Sequence, residues 1–184
     1  ITGLQGALDS KATQSDIDTA IDNIEIGGRN LFLNTSPLVS VSCQGVVNQT
    51  VYLHYVANNR LGNNNIQIGD YVTFSCEFEL ETNGIEIPAD AYFYFRYQDT
   101  NNTWYDLSTY YYPSTIGTSG RIVVTKTVDQ YLINLKYNTV RLNYLPVGTT
   151  LKIWNIQLER GNKATDWTPA PEDVEASIET AKTE

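Results

Sequence analysis

The chain has 184 residues, 41% of them hydrophobic and 18% charged, enough for one globular domain with flanking segments. No apolar run approaches the roughly 18–20 residues needed to cross a bilayer, and the opening ITGLQGALDS lacks the basic start and apolar stretch of a secretory signal. The net charge of −9 argues against a nucleic-acid partner; and because no methionine is present, even at position 1, the sequence is expected to be a piece of a longer polypeptide.

Within a linker or coiled-coil end over 1–27, residues 4–24 read as helix, since Leu4, Leu8, Ile17, Ile21 and Ile24 fall at three- and four-residue steps among polar or small positions. Five acids against Lys11 give residues 1–27 a charge of −4. A stripe so thin must pack on copies of itself, as the end of a coiled coil, or serve as a linker. Gly27-Gly28 ends it. From there the period falls from about 3.6 to 2. Strands are predicted at 30–33, 38–43, 50–57, 65–68, 71–80, 91–98, 121–128, 131–135, 138–145 and 150–159, separated by turn clusters such as Thr82-Asn83-Gly84, Asp99 to Asn102 and Pro146-Val147-Gly148. With no crossover helix between them, they predict an all-β antiparallel sandwich over 28–171, of jelly-roll or immunoglobulin-like topology. Pro169 and Pro171 then punctuate the chain, and 172–184 reads as the start of a helix, again at −4. The body between the two acidic ends nets −1, which suits a neutral or weakly charged polar ligand better than a polyanion.

In YVTFSCEFEL, Val72, Phe74, Cys76, Phe78 and Leu80 alternate onto one face, so Cys76 reads as a small buried hydrophobe, with a bridge to Cys43 left open. His54, in VYLHYV, is a strand residue without the second histidine or cysteine pair that a metal site needs. In DAYFYFRYQD, Phe93, Phe95 and Tyr97 share one face and Tyr92, Tyr94 and Arg96 the other. In VRLNYL, Val140, Leu142 and Tyr144 are predicted inward, leaving Arg141 and Asn143 outward. Should these two strands share a sheet, Tyr92, Tyr94, Arg96, Arg141 and Asn143 line one polar-aromatic surface.

The segment DTNNTWYDLSTYYYP at 99–113 is the densest aromatic cluster, with Trp104, Tyr105, Tyr110, Tyr111 and Tyr112 set among polar residues. Such rings either fold back on the sandwich, mediate subunit contacts, or await a partner with apolar faces and hydroxyl edges. Sugars have both features: a pyranose stacks on Trp or Tyr through its C–H face while Asn, Asp, Arg and Tyr bond its hydroxyls. The candidate saccharide-binding residues are Trp104, Tyr105, Tyr92, Tyr94, Arg96, Tyr110, Tyr112, Asp106 and Arg141. Catalysis has little support. No G-x-S-x-G occurs, Gly27-Gly28-Arg29 precedes no helix, and the carboxylates to test as a glycosidase pair are Asp99 and Asp106 beside Trp104.

Two stretches carry a resemblance: GGRNLFLNTS at 27–36 and LKIWNIQLERGNKATDWTPAPEDV at 151–174, the latter with Leu158-Glu159-Gly161, Ala164-Thr165, Asp166-Trp167-Thr168-Pro169 and Pro171-Glu172-Asp173 together. They resemble the boundaries of jelly-roll modules, similar to carbohydrate-binding modules, in tail proteins of phages infecting Gram-positive bacteria. Phe32 stands where leucine is more usual. The resemblance implies a module in a distal-tail, tail-tip or baseplate protein that binds host envelope polysaccharide at the virion tail tip without turnover. The alternative is a structural spacer whose aromatic surface docks on a neighbouring tail subunit, and the flanking helical stripes are compatible with trimerisation. The resemblance further implies a structural role for Trp167, packed near Arg29 and Asn30, and allows a calcium ion to which Asp166 or Glu159 would contribute oxygens; Trp154, alternating with Lys152 and Ile156 in the last strand, reads as core. No other cofactor is expected.

Overall fold

Two antiparallel four-stranded sheets face one another in the computed structural model, which describes residues 28–35, 37–55 and 60–183. The helix expected within 1–27 lies outside the described residues. The elements are β1 (Val39–Ser42), β2 (Gln49–Tyr55), α1 (Arg60–Asn63), β3 (Tyr71–Glu81), β4 (Tyr92–Asp99), β5 (Trp104–Asp106), α2 (Pro113–Ile116), β6 (Ser119–Thr127), β7 (Leu135–Asn143), β8 (Thr150–Arg160) and α3 (Pro171–Thr183), with a single 3₁₀ turn at Leu132–Asn134. Sheet one has the order β1-β8-β3-β6 and sheet two the order β2-β7-β4-β5, so every connection but β4 to β5 crosses between sheets. That nesting is the jelly roll.

Alternation explains the core. Val72, Phe74, Cys76, Phe78 and Leu80 of β3 point inward against Phe93 and Phe95 of β4, with ring centroids 4.8 Å apart for Phe74–Phe95 and 5.2 Å for Phe78–Phe93. Strand β8 keeps both its halves inward only because Asn155, in the left-handed region at φ 51, inserts an extra residue. Leu151 and Ile153 before it, and Ile156 and Leu158 after it, are all fully buried. The same bulge leaves Trp154 half-buried on the outside, opposite Glu77, so the expectation that Trp154 belongs to the core is corrected. Cys43 and Cys76 are both buried and unbridged, and burial pushes the Cys76 thiol well above its ordinary range.

Three predicted strands, at 30–33, 65–68 and 131–135, are not ladder-paired as expected, apart from Leu135, where β7 begins. Their apolar residues, Leu31, Phe32, Ile66 and Leu132, are core anchors carried on turns: Ile66 donates to the Leu61 carbonyl and Asp70 to that of Gln67. An apolar run of three or four residues fits a loop anchor as well as a strand.

The two resembling stretches meet in space. Asn30 is fully buried; its Nδ2 donates to Thr35 Oγ1 (2.9 Å) and the Ile156 carbonyl (3.1 Å), and its Oδ1 accepts from the backbone N–H of Phe32 (3.0 Å) and Leu158 (3.2 Å). Trp167 Nε1 donates to the same Thr35 hydroxyl at 3.2 Å, which gives that ring the structural role expected of it. Buried Glu159 accepts from Thr165 N and Oγ1, both at 2.8 Å. With both its oxygens engaged inside and Asp166 exposed, this pair does not fit a calcium ion, and no group of three or more potential metal-binding His, Cys, Asp or Glu exists among the described residues. Arg29 and Arg60 both bind Glu172 at the start of α3, and Arg60 foremost holds its carboxyl down at about 2.

The chain returning from β8 also lies over the outer face of sheet one. Thr73 donates to the Gly161 carbonyl, Arg121 to that of Thr165, and Gln157 engages Thr165 and Thr168. This cover buries Thr73, Ser75, Gln157 and Glu159, which alternation alone would leave wet.

Candidate functional site: an aromatic face on sheet two

Among the described residues no such cover lies over sheet two. Register fixes what its outer face shows: β4 and β7 pair Tyr92 with Asn143, Tyr94 with Arg141, Arg96 with Thr139 and Gln98 with Tyr137, while β5 sets Asp106 beside Arg96 and Trp104 beside Gln98. On the other flank β2 places Thr50 and Tyr52 opposite Arg141 and Thr139. The predicted sharing of one surface by Tyr92, Tyr94, Arg96, Arg141 and Asn143 is what the pairing produces. From Tyr92 to Gln98 the strip is about 20 Å long at ~3.3 Å per residue.

One end is a tyrosine cluster. The Tyr92 ring lies 6.0 Å from that of Tyr94, 4.9 Å from Tyr110 and 5.3 Å from Tyr112, and Tyr94 meets Tyr110 at 4.8 Å. Tyr94 is 6% exposed and Tyr110 48%, so the cluster has a supporting floor and an open top. Burial, then repulsion from the surrounding phenols, pushes the Tyr92 hydroxyl above its ordinary value. Tyr144 is one of those neighbours. A backbone φ of 58 turns it out of the inward position that alternation predicts, and it is 43% exposed. The sequence contains no signal for that reversal beyond the turn that follows.

The other end is built on Trp104. Tyr52 lies 5.9 Å from it and 5.4 Å from Tyr137, and the Arg96 guanidinium sits over the Trp104 ring at 5.6 Å while its Nε donates to Asp106 Oδ1 at 2.9 Å. Lys136 caps Tyr137 at 5.3 Å and reaches Asn102 Oδ1. Tyr52 and Tyr137 escaped sequence reasoning because they lie on strands distant from the aromatic segment; pairing alone brings them to Trp104. Between the two ends stands Arg141, donating to the Tyr94 hydroxyl at 3.4 Å.

Tyr105 does not join the strip, which corrects the expectation for it. Its register partner is Tyr97, an inward residue, and its ring stacks on Tyr97 at 5.2 Å and Tyr131 at 4.7 Å. Asp99 likewise faces away: it is buried and its Oδ1 accepts from Asn101 and Thr103 N–H, closing the turn before β5. Asp99 and Asp106 thus lie on opposite sides of the sheet, and the carboxylate pair considered for glycoside cleavage is not formed. His54 is buried against Phe32 (5.7 Å, stacked), and burial lowers it to about 4.

The protein is therefore a jelly-roll β-sandwich in which, among the described residues, one outer face is partly covered by the returning chain and the other is not. Among solved structures it is similar to a chain of the tripod from the baseplate of bacteriophage Tuc2009, at 18% identity and a TM-score of 0.53, over 82% of this chain and 61% of that one. This chain spans about three-fifths of that relative's length, and the likeness establishes a shared fold. Two structures from Paenibacillus barcinonensis Xyn10C also align: the CBM22-1 xylan-binding domain (11% identity, TM-score 0.40, 69% of this chain and 74% of that) and the CBM22-1-CBM22-2 tandem (10%, 0.38, 78% and 47%). No protein-family model and no curated protein matches the chain. Among the described residues no helix is long and apolar enough to cross a membrane.

Proposed function

We propose that this chain is a non-catalytic saccharide-binding module of a phage tail or baseplate protein, which attaches the virion to host envelope polysaccharide through the outer face of sheet two. The observation that carries the reading is the open strip itself: Trp104, Tyr52 and Tyr137 at one end, Tyr92, Tyr94, Tyr110 and Tyr112 at the other, with Arg96, Asp106 and Arg141 between. Flat rings take the C–H faces of successive sugar units, and the polar groups set their hydroxyl register. The fold shared with a baseplate chain supports the virion setting. Turnover is disfavoured by the separation of Asp99 from Asp106 and by the burial of both thiols. One shallow site gives modest affinity, so attachment rests on many copies at the tail tip.

Titration with polysaccharide extracted from Gram-positive cell walls, followed calorimetrically, tests the reading. Trp104→Ala is expected to weaken binding by at least about tenfold, the scale of one lost ring stack, while Trp154→Ala on sheet one leaves it unchanged. Equal affinities for wild type and Trp104→Ala overturn the site.

A second reading, a spacer docked on neighbouring subunits, is favoured by one observation. Val174 and Ile178 lie one turn apart and exposed on α3, a stripe suited to packing against other copies of the helix, including in a homotrimer. Sedimentation of the chain against Ile178→Glu decides it: loss of an oligomer in the variant supports docking through α3, and a monomeric wild type removes it.

A further inference from the structure

The acidic overall charge conceals a local excess of donors on the open face. Of the six arginines, Arg29, Arg60, Arg96 and Arg160 each meet a carboxylate, and Arg121 donates to the Thr165 carbonyl. Arg141 has neither among the described residues: its Nη1 reaches only the Tyr94 hydroxyl, at a long 3.4 Å, and its Nε is buried with no partner. Two residues further along the same side of β7, Asn143 is fully buried. Its Oδ1 accepts from Asn48 N at 2.8 Å, yet its Nδ2 has no partner.

Buried N–H donors are rarely left unmade in folded proteins, because each costs about 1–3 kcal/mol when orphaned. Here two lie on adjacent outward positions of one strand, about 7 Å apart at ~3.3 Å per residue, and one of them belongs to a guanidinium. The carboxylate nearest in the register, Asp106, is held by Arg96 across the face and is not available to neutralise Arg141. Arginine's planar fork matches a carboxylate or phosphate oxygen pair, whereas a neutral hydroxyl would leave its charge uncompensated.

We propose that the glycan bound by this face carries an oxyanion, a phosphodiester or a uronate carboxylate, which seats on the part-exposed guanidinium of Arg141. This rests on the saccharide-binding reading and narrows its ligand class from the neutral chain that composition favoured to an acidic one. The rings hold the sugar units on either side, and Arg141 fixes the position of the charge between them.

The test is calorimetric titration of the 184-residue chain with three probes: dextran (neutral), polygalacturonate (uronate) and poly(glycerol phosphate) (phosphodiester). At least one acidic polymer is expected to bind about tenfold more tightly than dextran at low salt, with the advantage shrinking in 0.5 M NaCl; which of the two binds identifies the anion. Arg141→Gln should remove that advantage, so that the acidic polymer binds no more tightly than dextran does to the same variant; Arg141→Lys should restore only part of it, since a point charge lacks the fork. Thermal melting of both variants confirms folding. Equal affinity for dextran and both acidic polymers, or an acidic-polymer affinity indifferent to Arg141→Gln, overturns the anion seat while leaving the saccharide reading intact. Failure of all three polymers to bind, with Trp104→Ala equally inert toward wall polysaccharide, removes both.

Discussion

The outer faces of the two sheets begin from comparable strands and end in opposite states. On sheet one, β3 presents Thr73, Ser75 and Glu77 between Thr125, Val123 and Arg121 of β6 and Glu159, Gln157 and Trp154 of β8, a largely polar surface that would ordinarily face water. The chain leaving β8 folds back over it and converts Thr73, Gln157 and Glu159 into buried, hydrogen-bonded groups, while Arg121 and Thr125 on β6 stay exposed. On sheet two the outward positions carry rings and arginines, and no segment among the described residues returns over them. Buried polar groups that are fully paired stabilise a fold; exposed rings beside unpaired donors do little for it and are suited to a partner. The difference lies less in the strands than in where the chain goes after each sheet is complete.

Breaking the shielded face should give the largest effect. Asn30→Ala removes four hydrogen bonds and leaves the Phe32 and Leu158 N–H groups orphaned, so unfolding free energy should fall by about 3 kcal/mol or more, read from the denaturant midpoint, with wall-polysaccharide affinity of the folded fraction unchanged. On the open face the readouts exchange places: Tyr52→Ala, which strips a neighbour from Trp104, should shift the midpoint by less than about 1 kcal/mol and weaken binding several-fold.

Acid provides a third contrast, because the titrating groups sit in the core and base, not on the open strip. His54 is lowered from 6.5 to about 4, so the unfolded chain binds its proton first, and stability present above pH 6.5 declines as pH falls toward 4. Glu172, lowered from 4.5 to about 2, adds a further loss between those values. Melting temperature against pH should show both windows, and His54→Phe should flatten the upper one. The smallest effect is expected at Tyr144: Asn tolerates the left-handed backbone better than Tyr, so Tyr144→Asn should leave the melting temperature unchanged or raise it by a few degrees, and should weaken binding about twofold.

Much of this was legible in the residues. The alternation in β3 and β4 sorts Phe74, Phe78, Phe93 and Phe95 from Tyr92, Tyr94 and Arg96 without reference to any neighbour, because a pleated strand has only two sides. The text around Asn30 and Trp167 marks the closure of the sandwich because side-chain to backbone bonds there require those residue types. Tyr105 was misplaced because β5 was not recognised as a strand: inside an apparent loop, alternation could not be applied to Trp104, Tyr105 and Asp106. The Tyr144 reversal and the Asn155 bulge were hidden for a related cause, a single left-handed residue that shifts every later side chain to the other side.

By itself, then, the sequence determined the antiparallel β class, the inward faces of its long strands and the presence of an aromatic-rich segment, all properties carried by local periodicity. Tertiary structure alone decided that Tyr52 and Tyr137 stand beside Trp104 and that, among the described residues, Arg141 lacks a counter-ion and the returning chain covers one sheet and not the other. Those are relations between residues tens of positions apart, and only strand pairing and the course of the returning chain set them.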